Sequence, residues 1–267
     1  MNLGADDYLT KPYKQSDLIN AISSKLSKAQ RQEKLTEKKI EELCRSIAGS
    51  LPHEFRTPLN SIIGFIQLLK SEYELFSKED IFNILKNVYE SSLELNQTLN
   101  NFMYYLKMME LRHTGPQDYS GYVVSSDALI KEIAYRIAGK YKRSNDLDMS
   151  LVDSVVKISE EHFHKAIMEL ADNAFKFSKK GSPVSIKSEL SGQHSLNVII
   201  TNYGRGMSDE EIKNIGAFRQ FNRDLYEQQG SGLGLTIVKI ISEIYKGSLA
   251  FDSMKERYTK VVISFPV

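Results

Sequence analysis

His53 stands beside Glu54 in the stretch Leu51-Pro52-His53-Glu54-Phe55-Arg56-Thr57-Pro58-Leu59-Asn60. An imidazole next to a carboxylate, in a helical pattern, is a nucleophile for a phosphoryl group that another part of the chain must deliver. Farther on, Glu169, Asn173 and Lys176 fall at i, i+4 and i+7 and so share one helix face. An amide oxygen is a suitable hard ligand for Mg²⁺, which otherwise keeps waters and phosphate oxygens. A lysine one turn on can meet a phosphate, although an exposed polar face gives the same spacing. Two glycine clusters follow, Asn202-Tyr203-Gly204-Arg205-Gly206-Met207 and Gly230-Ser231-Gly232-Leu233-Gly234-Leu235, the second opening a helix. Glycines let a backbone approach phosphate, and a helix N-terminus offers unpaired N–H groups. The spacing G-x-G-x-G, with no βαβ unit around it, fits a dinucleotide fingerprint only in part. Between the clusters, Gly216 to Gln229 is polar and irregular, with Phe218 and Phe221 as apolar anchors, and has the length of a lid.

These groups need a scaffold, and the hydrophobic periodicity supplies one. Ile40, Leu43, Ile47, Leu51, Phe55, Leu59, Ile62, Ile66, Leu69 and Tyr73 form an apolar seam in steps of three and four. The cap signature Ser77-Lys78-Glu79-Asp80 opens a second helix. There Ile81, Leu85, Val88, Ser92, Leu95, Leu99, Phe102, Leu106 and Met109 alternate four and three, the narrow seam of a coiled coil or bundle. One hairpin cannot cover both seams, so a homodimer forming a four-helix bundle is expected. Pro52 and Pro58 each remove a helix hydrogen bond, so the helix is expected to bend around His53.

After Gly115-Pro116 the pattern changes. Strands are expected at Tyr122–Val124, twice between Asp148 and Ile158, and at 184–190, 196–201, 248–251 and 260–265. Helices are expected from Asp127 to about Tyr141, from Ser159 to about Phe177, and from Leu233 to Tyr245. Antiparallel-type strands with helices on one face make this half α+β. The expected division is 1–29, an N-terminal segment; 30–114, a charged helix and the hairpin; and 115–267, the nucleotide-holding domain.

Composition narrows the function classes. A net charge of +1 over 267 residues argues against a general nucleic-acid surface. No apolar run approaches the roughly 18 residues of a membrane helix, and no signal-like start is present. Cys44 is the single cysteine, which excludes an internal disulfide and leads to the expectation of a reducing, cytoplasmic setting. His162 and His164 are two apart and point to different faces, so with His113 and His194 they are expected on the surface rather than on a metal. The many tyrosines and phenylalanines are expected in core and seam.

Four pieces in this order resemble a sensor histidine kinase. His53 to Leu59 is similar to the family's H box, Glu169 to Phe177 to its N box, and the two glycine clusters to its glycine boxes. The resemblance implies an α+β chain: a dimeric helical hairpin followed by an α/β-sandwich, Bergerat-type ATP-binding domain. By that resemblance His53 would accept the γ-phosphoryl of ATP, and Glu54 would orient and deprotonate the imidazole. Asn173 would bind Mg²⁺, with Glu169 assisting, and Lys176 would touch phosphate. Asn202 would face the adenine amino group. Gly204, Gly206, Met207, Gly230, Ser231, Gly232, Leu233, Gly234 and Leu235 would shape the pocket, and Arg219 or Arg223 would approach the γ-phosphate. Thr57 would position water for dephosphorylating a response-regulator receiver domain, the implied partner. Two departures stand out: Asn202 replaces the usual aspartate, and Glu169 replaces the frequent asparagine, as in the wider ATPase superfamily. Two rival readings stay open, a dimeric scaffold with a weakened ATP site and an ATPase that forms no phosphohistidine. Residues 2–13, with Lys11-Pro12, resemble the tail of a receiver domain whose phosphoacceptor aspartate is absent, so no receiver activity is expected.

Overall fold

The computed structural model describes residues 54–114, 125–192, 195–213, 215 and 233–267. Residues 54–72 are helical (α1) and pass through Pro58, which is buried. A 3₁₀ turn at Tyr73–Leu75 leads to α2, Lys78–Thr114. The signature at Ser77 forms as the sequence predicts. Ser77 Oγ accepts from Asp80 N–H at 3.2 Å, and the Asp80 carboxylate accepts from Ser77 N–H at 3.0 Å. This reciprocal cap, with aspartate in the usual glutamate place, fixes where α2 begins. The short connection folds α2 back along α1, and the rings of Phe55 and Phe102 meet edge to face at 6.4 Å.

The predicted seam of α2 is divided. Ile81, Val88, Leu95, Phe102 and Met109 are half-buried, whereas Leu85 and Leu99 are 53% and 47% exposed. Buried instead are Ile84, Asn101, Tyr105 and Met108. In the C-terminal half of α2 the cause is a contact that local periodicity does not encode: α2 packs against α6, Leu233–Ile244.

The second half of the described chain holds α3 (Ser126–Lys140), β1 (Leu147–Ser150), α4 (Glu160–Lys176), β2 (Val184–Ser191), β3 (Ser195–Tyr203), α5 (Asp209–Lys213), α6 (Leu233–Ile244), β4 (Ser248–Met254) and β5 (Tyr258–Pro266). The sheet order is β1-β2-β3-β5-β4. All pairs are antiparallel except β1 with β2, so the sheet is mixed rather than antiparallel throughout. A parallel pair needs a long crossover, and α4 lies in it. The two strands expected between Asp148 and Ile158 reduce to one. Beyond Ser150 the backbone finds other partners: Val152 N–H donates to Ser188 Oγ, Ser154 N–H to Ser126 Oγ, and Lys157 N–H to the Pro266 carbonyl. Satisfied in this way, it has no need of a ladder.

Alternate residues of the central strands are buried on one face only: Val184 and Ile186, then Leu196, Val198 and Ile200, then Val261, Ile263 and Phe265. The same core contains Phe163, Ile167 and Leu170 of α4, Ile237 and Ile241 of α6, and Ile130 and Ile133 of α3. The α+β, two-layer expectation therefore holds. Ser125, not Asp127, is the residue before α3, and its hydroxyl donates to the Asp127 carboxylate at 2.9 Å. Tyr73, Phe82, Tyr89 and Tyr135 are exposed, so the aromatics are not uniformly core.

Candidate functional site

Helix α4 carries the first cluster. Ser159 caps it, accepting from His162 N–H at 3.3 Å. Its apolar face enters the core, which turns Lys165, Glu169, Asn173 and Lys176 away from the sheet. Lys165 Nζ donates to Glu169 Oε1 at 2.6 Å and to Asn101 Oδ1 of α2 at 2.8 Å. Both side chains of the Lys165–Glu169 pair are nearly enclosed. The far oxygen of the same carboxylate lies against α6: a Cβ added to Gly234 would stand 2.2 Å from Glu169 Oε2. A side chain on Gly234 would displace the end of the Glu169 carboxylate, which sits beside the electropositive first turn of α6.

Asn173 is half-buried on this face. Among the described residues no cluster of His, Cys, Asp or Glu could hold a metal by itself. The donor set here is one amide oxygen, which suits Mg²⁺ only when phosphate oxygens and waters supply the other ligands. Lys176 ends α4 with its ammonium held below the usual lysine range by burial; Asp172 pulls the other way, and so do Glu94 of α2 and Glu54 of α1. The hairpin's carboxylates therefore reach this end of the helix electrostatically. Glu54 is half-buried and Thr57 exposed on α1.

The first glycine cluster follows β3. Gly204 N–H donates to the Arg257 carbonyl, and a Cβ there would meet the Phe177 carbonyl at 2.1 Å. Gly206 has φ +64°, and a Cβ there would meet the Met254 carbonyl at 2.0 Å. Both positions demand glycine, one for space and the other for space and conformation. Met207 N–H donates to Ser253 Oγ at 2.8 Å, and Ser253 also reaches Thr259 Oγ1 at 2.9 Å. Arg205 pairs with Glu211, which also caps α5 by accepting from Ser208 N–H at 2.7 Å. The turn is thus clamped between the end of α4 and the β4–β5 hairpin.

Asn202 completes the buried row of β3 after Ile200, and it is 5% exposed. Its Nδ2 has no hydrogen-bond partner. A buried amide donor left unmade costs about 1–3 kcal/mol. Such an orphan beside a glycine turn suits a ligand that carries an acceptor.

Sequence reading missed Arg143. This buried guanidinium donates to the carbonyls of Phe175, Ser178, Lys179 and Ser182 and to the Asp146 carboxylate. It thereby fastens the loop leaving α4. An isolated arginine after a helix gives no sequence signal of this. Asp172, inside the N-box stretch, is taken by α3: it accepts from Lys140 Nζ at 2.7 Å and Tyr141 OH at 3.2 Å.

His162 is not on the surface as expected. It is buried, with Nδ1 2.7 Å from Tyr245 OH and its ring edge-on to Tyr104 at 6.2 Å. Burial holds its pKa below the usual histidine value. The cover comes from α2 and α6, which the pattern of α4 cannot announce. His164 is partly exposed and lies 2.6 Å from Arg136 Nη2.

Leu233 is buried, and Leu235 is half-buried. His53, Pro52, Arg219, Arg223, Gly230, Ser231, Gly232, His194, the lid stretch, the Tyr122–Val124 strand and residues 1–29 lie outside the described residues. No helix among the described residues is long and apolar enough to cross a membrane.

Comparison with known proteins finds two families along the chain. Residues 45–110 match the family described as the His Kinase A (phospho-acceptor) domain. Residues 158–267 match the family of histidine kinase-, DNA gyrase B- and HSP90-like ATPases. Sporulation kinase D of Bacillus subtilis is 28% identical over 231 residues, 85% of this chain and 42% of that protein. Heme sensor protein HssS of Staphylococcus saprophyticus is 27% identical over 238 residues, 87% of this chain and 48% of that protein. The chain spans less than half the length of these curated relatives. The histidine kinase AdeS of Acinetobacter baumannii shares the fold, with a TM-score of 0.57 and 20% identity over 79% of this chain and 97% of that one.

Proposed function

We propose, for a chain that joins a histidine-kinase phosphoacceptor hairpin to an ATPase domain of the histidine kinase, gyrase B and HSP90 kind, that it is an ATP-dependent protein-histidine kinase of a two-component system. A ring nitrogen of His53 forms the N–P bond with the γ-phosphorus, the bond to the bridging β,γ oxygen breaks, and ADP leaves. The imidazole proton passes to Glu54. A response-regulator aspartate then takes the phosphoryl group, and Thr57 positions water for the reverse dephosphorylation.

The ATPase half holds the nucleotide. Asn202 faces the base, and Gly204, Gly206 and Met207 form the turn beside it. Leu233, Gly234 and Leu235, in the first turn of α6, face the phosphates, and Gly230, Ser231 and Gly232 of the same glycine cluster bind them too. Asn173 would hold Mg²⁺, which supplies charge neutralisation at the phosphates. Lys176 meets a phosphate, and Arg223 approaches the γ-phosphate from the lid. Catalysis is positioning plus electrostatics.

The observation that carries this reading is the meeting of the two halves. Phe55, two residues after His53, meets the ring of Phe102 of α2, and α2 is bonded to α4 through Asn101 and Lys165. A nucleotide site serving only hydrolysis has no need of that neighbourhood. The chain acts as a homodimer: Leu59, Ile63 and Ile66 of α1 and Phe82, Leu85 and Leu99 of α2 stay exposed in one copy and are covered by a second in a four-helix bundle. Residues 2–13 resemble the tail of a receiver domain and carry no receiver activity of their own, and the proposed setting is the cytoplasm.

Incubation with γ-labelled ATP tests the reading. Acid-labile label is expected on the wild-type chain and none on His53→Gln. An unlabelled wild type supports the scaffold reading instead. Sustained hydrolysis by His53→Gln, with no acid-labile phosphate on the wild type, supports the ATPase reading.

A further inference from the structure

Asn202 stands where a carboxylate would read only one kind of purine, and its amide is not so restricted. The side chain closes the row Leu196, Val198, Ile200 on the buried face of β3, between Val184 of β2 and Thr259 of β5 in register. It is enclosed, yet Nδ2 donates to nothing. No hydrogen bond holds that end of the amide in place, so half a turn about its last torsion exchanges oxygen and nitrogen.

We infer that Asn202 reads position 6 of the purine in either of two amide orientations, so that the site takes 6-oxopurine nucleotides as well as adenine nucleotides. This rests on the proposed placement of the base against residue 202. A 6-aminopurine offers an N–H at position 6 and an acceptor at N1. Oδ1 accepts from the first, and Nδ2 donates to the second. A 6-oxopurine offers the reverse, an oxygen at position 6 and an N–H at N1. The flipped amide donates Nδ2 to the oxygen and accepts the N–H on Oδ1. Each orientation makes two hydrogen bonds, and each gives the orphaned Nδ2 an acceptor. A carboxylate only accepts: placed on position 6 it pairs with the 6-amino group and repels the 6-oxo oxygen, and it reaches the N1–H of a 6-oxopurine only by shifting off that oxygen. Sites built to bond one pattern reject the reversed one strongly, because a buried polar group is then left unpaired. An amide that can turn over removes that rejection.

The test is calorimetric titration of the whole 267-residue chain with the magnesium complexes of ADP and IDP. Inosine differs from adenosine at position 6 and N1 without adding a 2-amino group. For the wild type, the two dissociation constants are expected within about tenfold, and Asn202→Asp is expected to widen the ratio toward ADP by about tenfold or more. Asn202→Ala is expected to weaken both ligands alike, which serves if the aspartate variant does not fold. Binding of ADP with none of IDP to the wild type overturns the inference and leaves the kinase reading standing. So does an unchanged ratio in Asn202→Asp, or a loss of ADP alone in Asn202→Ala. Binding of neither nucleotide overturns both the inference and the ATP site beneath it.

Discussion

Glu169 and Gly234 occupy one another's space: the carboxylate of α4 fills the place a side chain on Gly234 would need, 2.2 Å from its Cβ position. Gly234→Ala must push Glu169 off Lys165 or tilt the first turn of α6. On the proposed placement of the nucleotide, Gly234→Ala is expected to weaken ADP binding about tenfold. Glu169→Ala in the same chain should recover part of that loss by clearing the space. Titration calorimetry of the single and double variants checks it, and a double variant no better than the single one refutes the steric account.

The charged centre at Arg143 has a stability consequence. Its loss removes a donor from four carbonyls at the exit of α4, of which those of Phe175 and Lys179 keep serine donors. Arg143→Ala should lower unfolding free energy by about 3 kcal/mol, the scale of several buried acceptors losing their partner. Lysine cannot reproduce the fork, so Arg143→Lys should recover little. Urea unfolding measures both, and a loss below the scatter of the fits argues against this role.

Acid should act through His162. Burial depresses its pKa in the folded chain from 6.5, and His164 shifts the same way by burial and by Arg136. The unfolded chain therefore binds more protons as pH falls through 6.5, so stability is full above that value and declines below it. His162→Gln should flatten the decline between roughly pH 6.5 and 5, leaving the part due to His164. Thermal midpoints across that range decide the matter, and an unaltered slope excludes His162 as the source.

Tyr104 offers the opposite kind of test. Its ring lies against Lys165 and His162, its hydroxyl is buried without a partner, and burial raises its pKa. Tyr104→Phe removes an unmet polar group and keeps the ring. Its thermal midpoint should equal or exceed the wild type's, with a gain of at most about 1 kcal/mol. A marked fall would mean that the hydroxyl has work in the folded chain.

The exposed leucines and isoleucines of the hairpin predict a mass. Ile66→Glu with Leu85→Glu places like charges on faces that a second copy should cover. Light scattering should find about twice 30.4 kDa for the wild type and 30.4 kDa for the double variant. Equal masses for the two would remove the proposed interface.

Local chemistry was readable where it is local. The Ser77–Asp80 cap, the one-sided burial of β3 and β5, and the shared face of Glu169, Asn173 and Lys176 all follow from spacing. What escaped depends on distant partners. His162 looked like a surface residue because its cover comes from α2 and α6, 58 and 83 positions away at Tyr104 and Tyr245. Arg143 looked ordinary because its acceptors are carbonyls of a loop. The parallel pairing of β1 was hidden because four residues show no preference of direction.

Helix α2 has two employers. Through Phe102 it leans on α1, and through Asn101, Tyr104 and Arg112 it holds α4 and α6, ending in an ion pair with Glu243 at 2.8 Å. Neighbouring side chains on a helix point about 100° apart. A roll about its own axis would therefore trade one set of grips for the other, so the packing of α1 and the packing of α4 and α6 are not independent of each other.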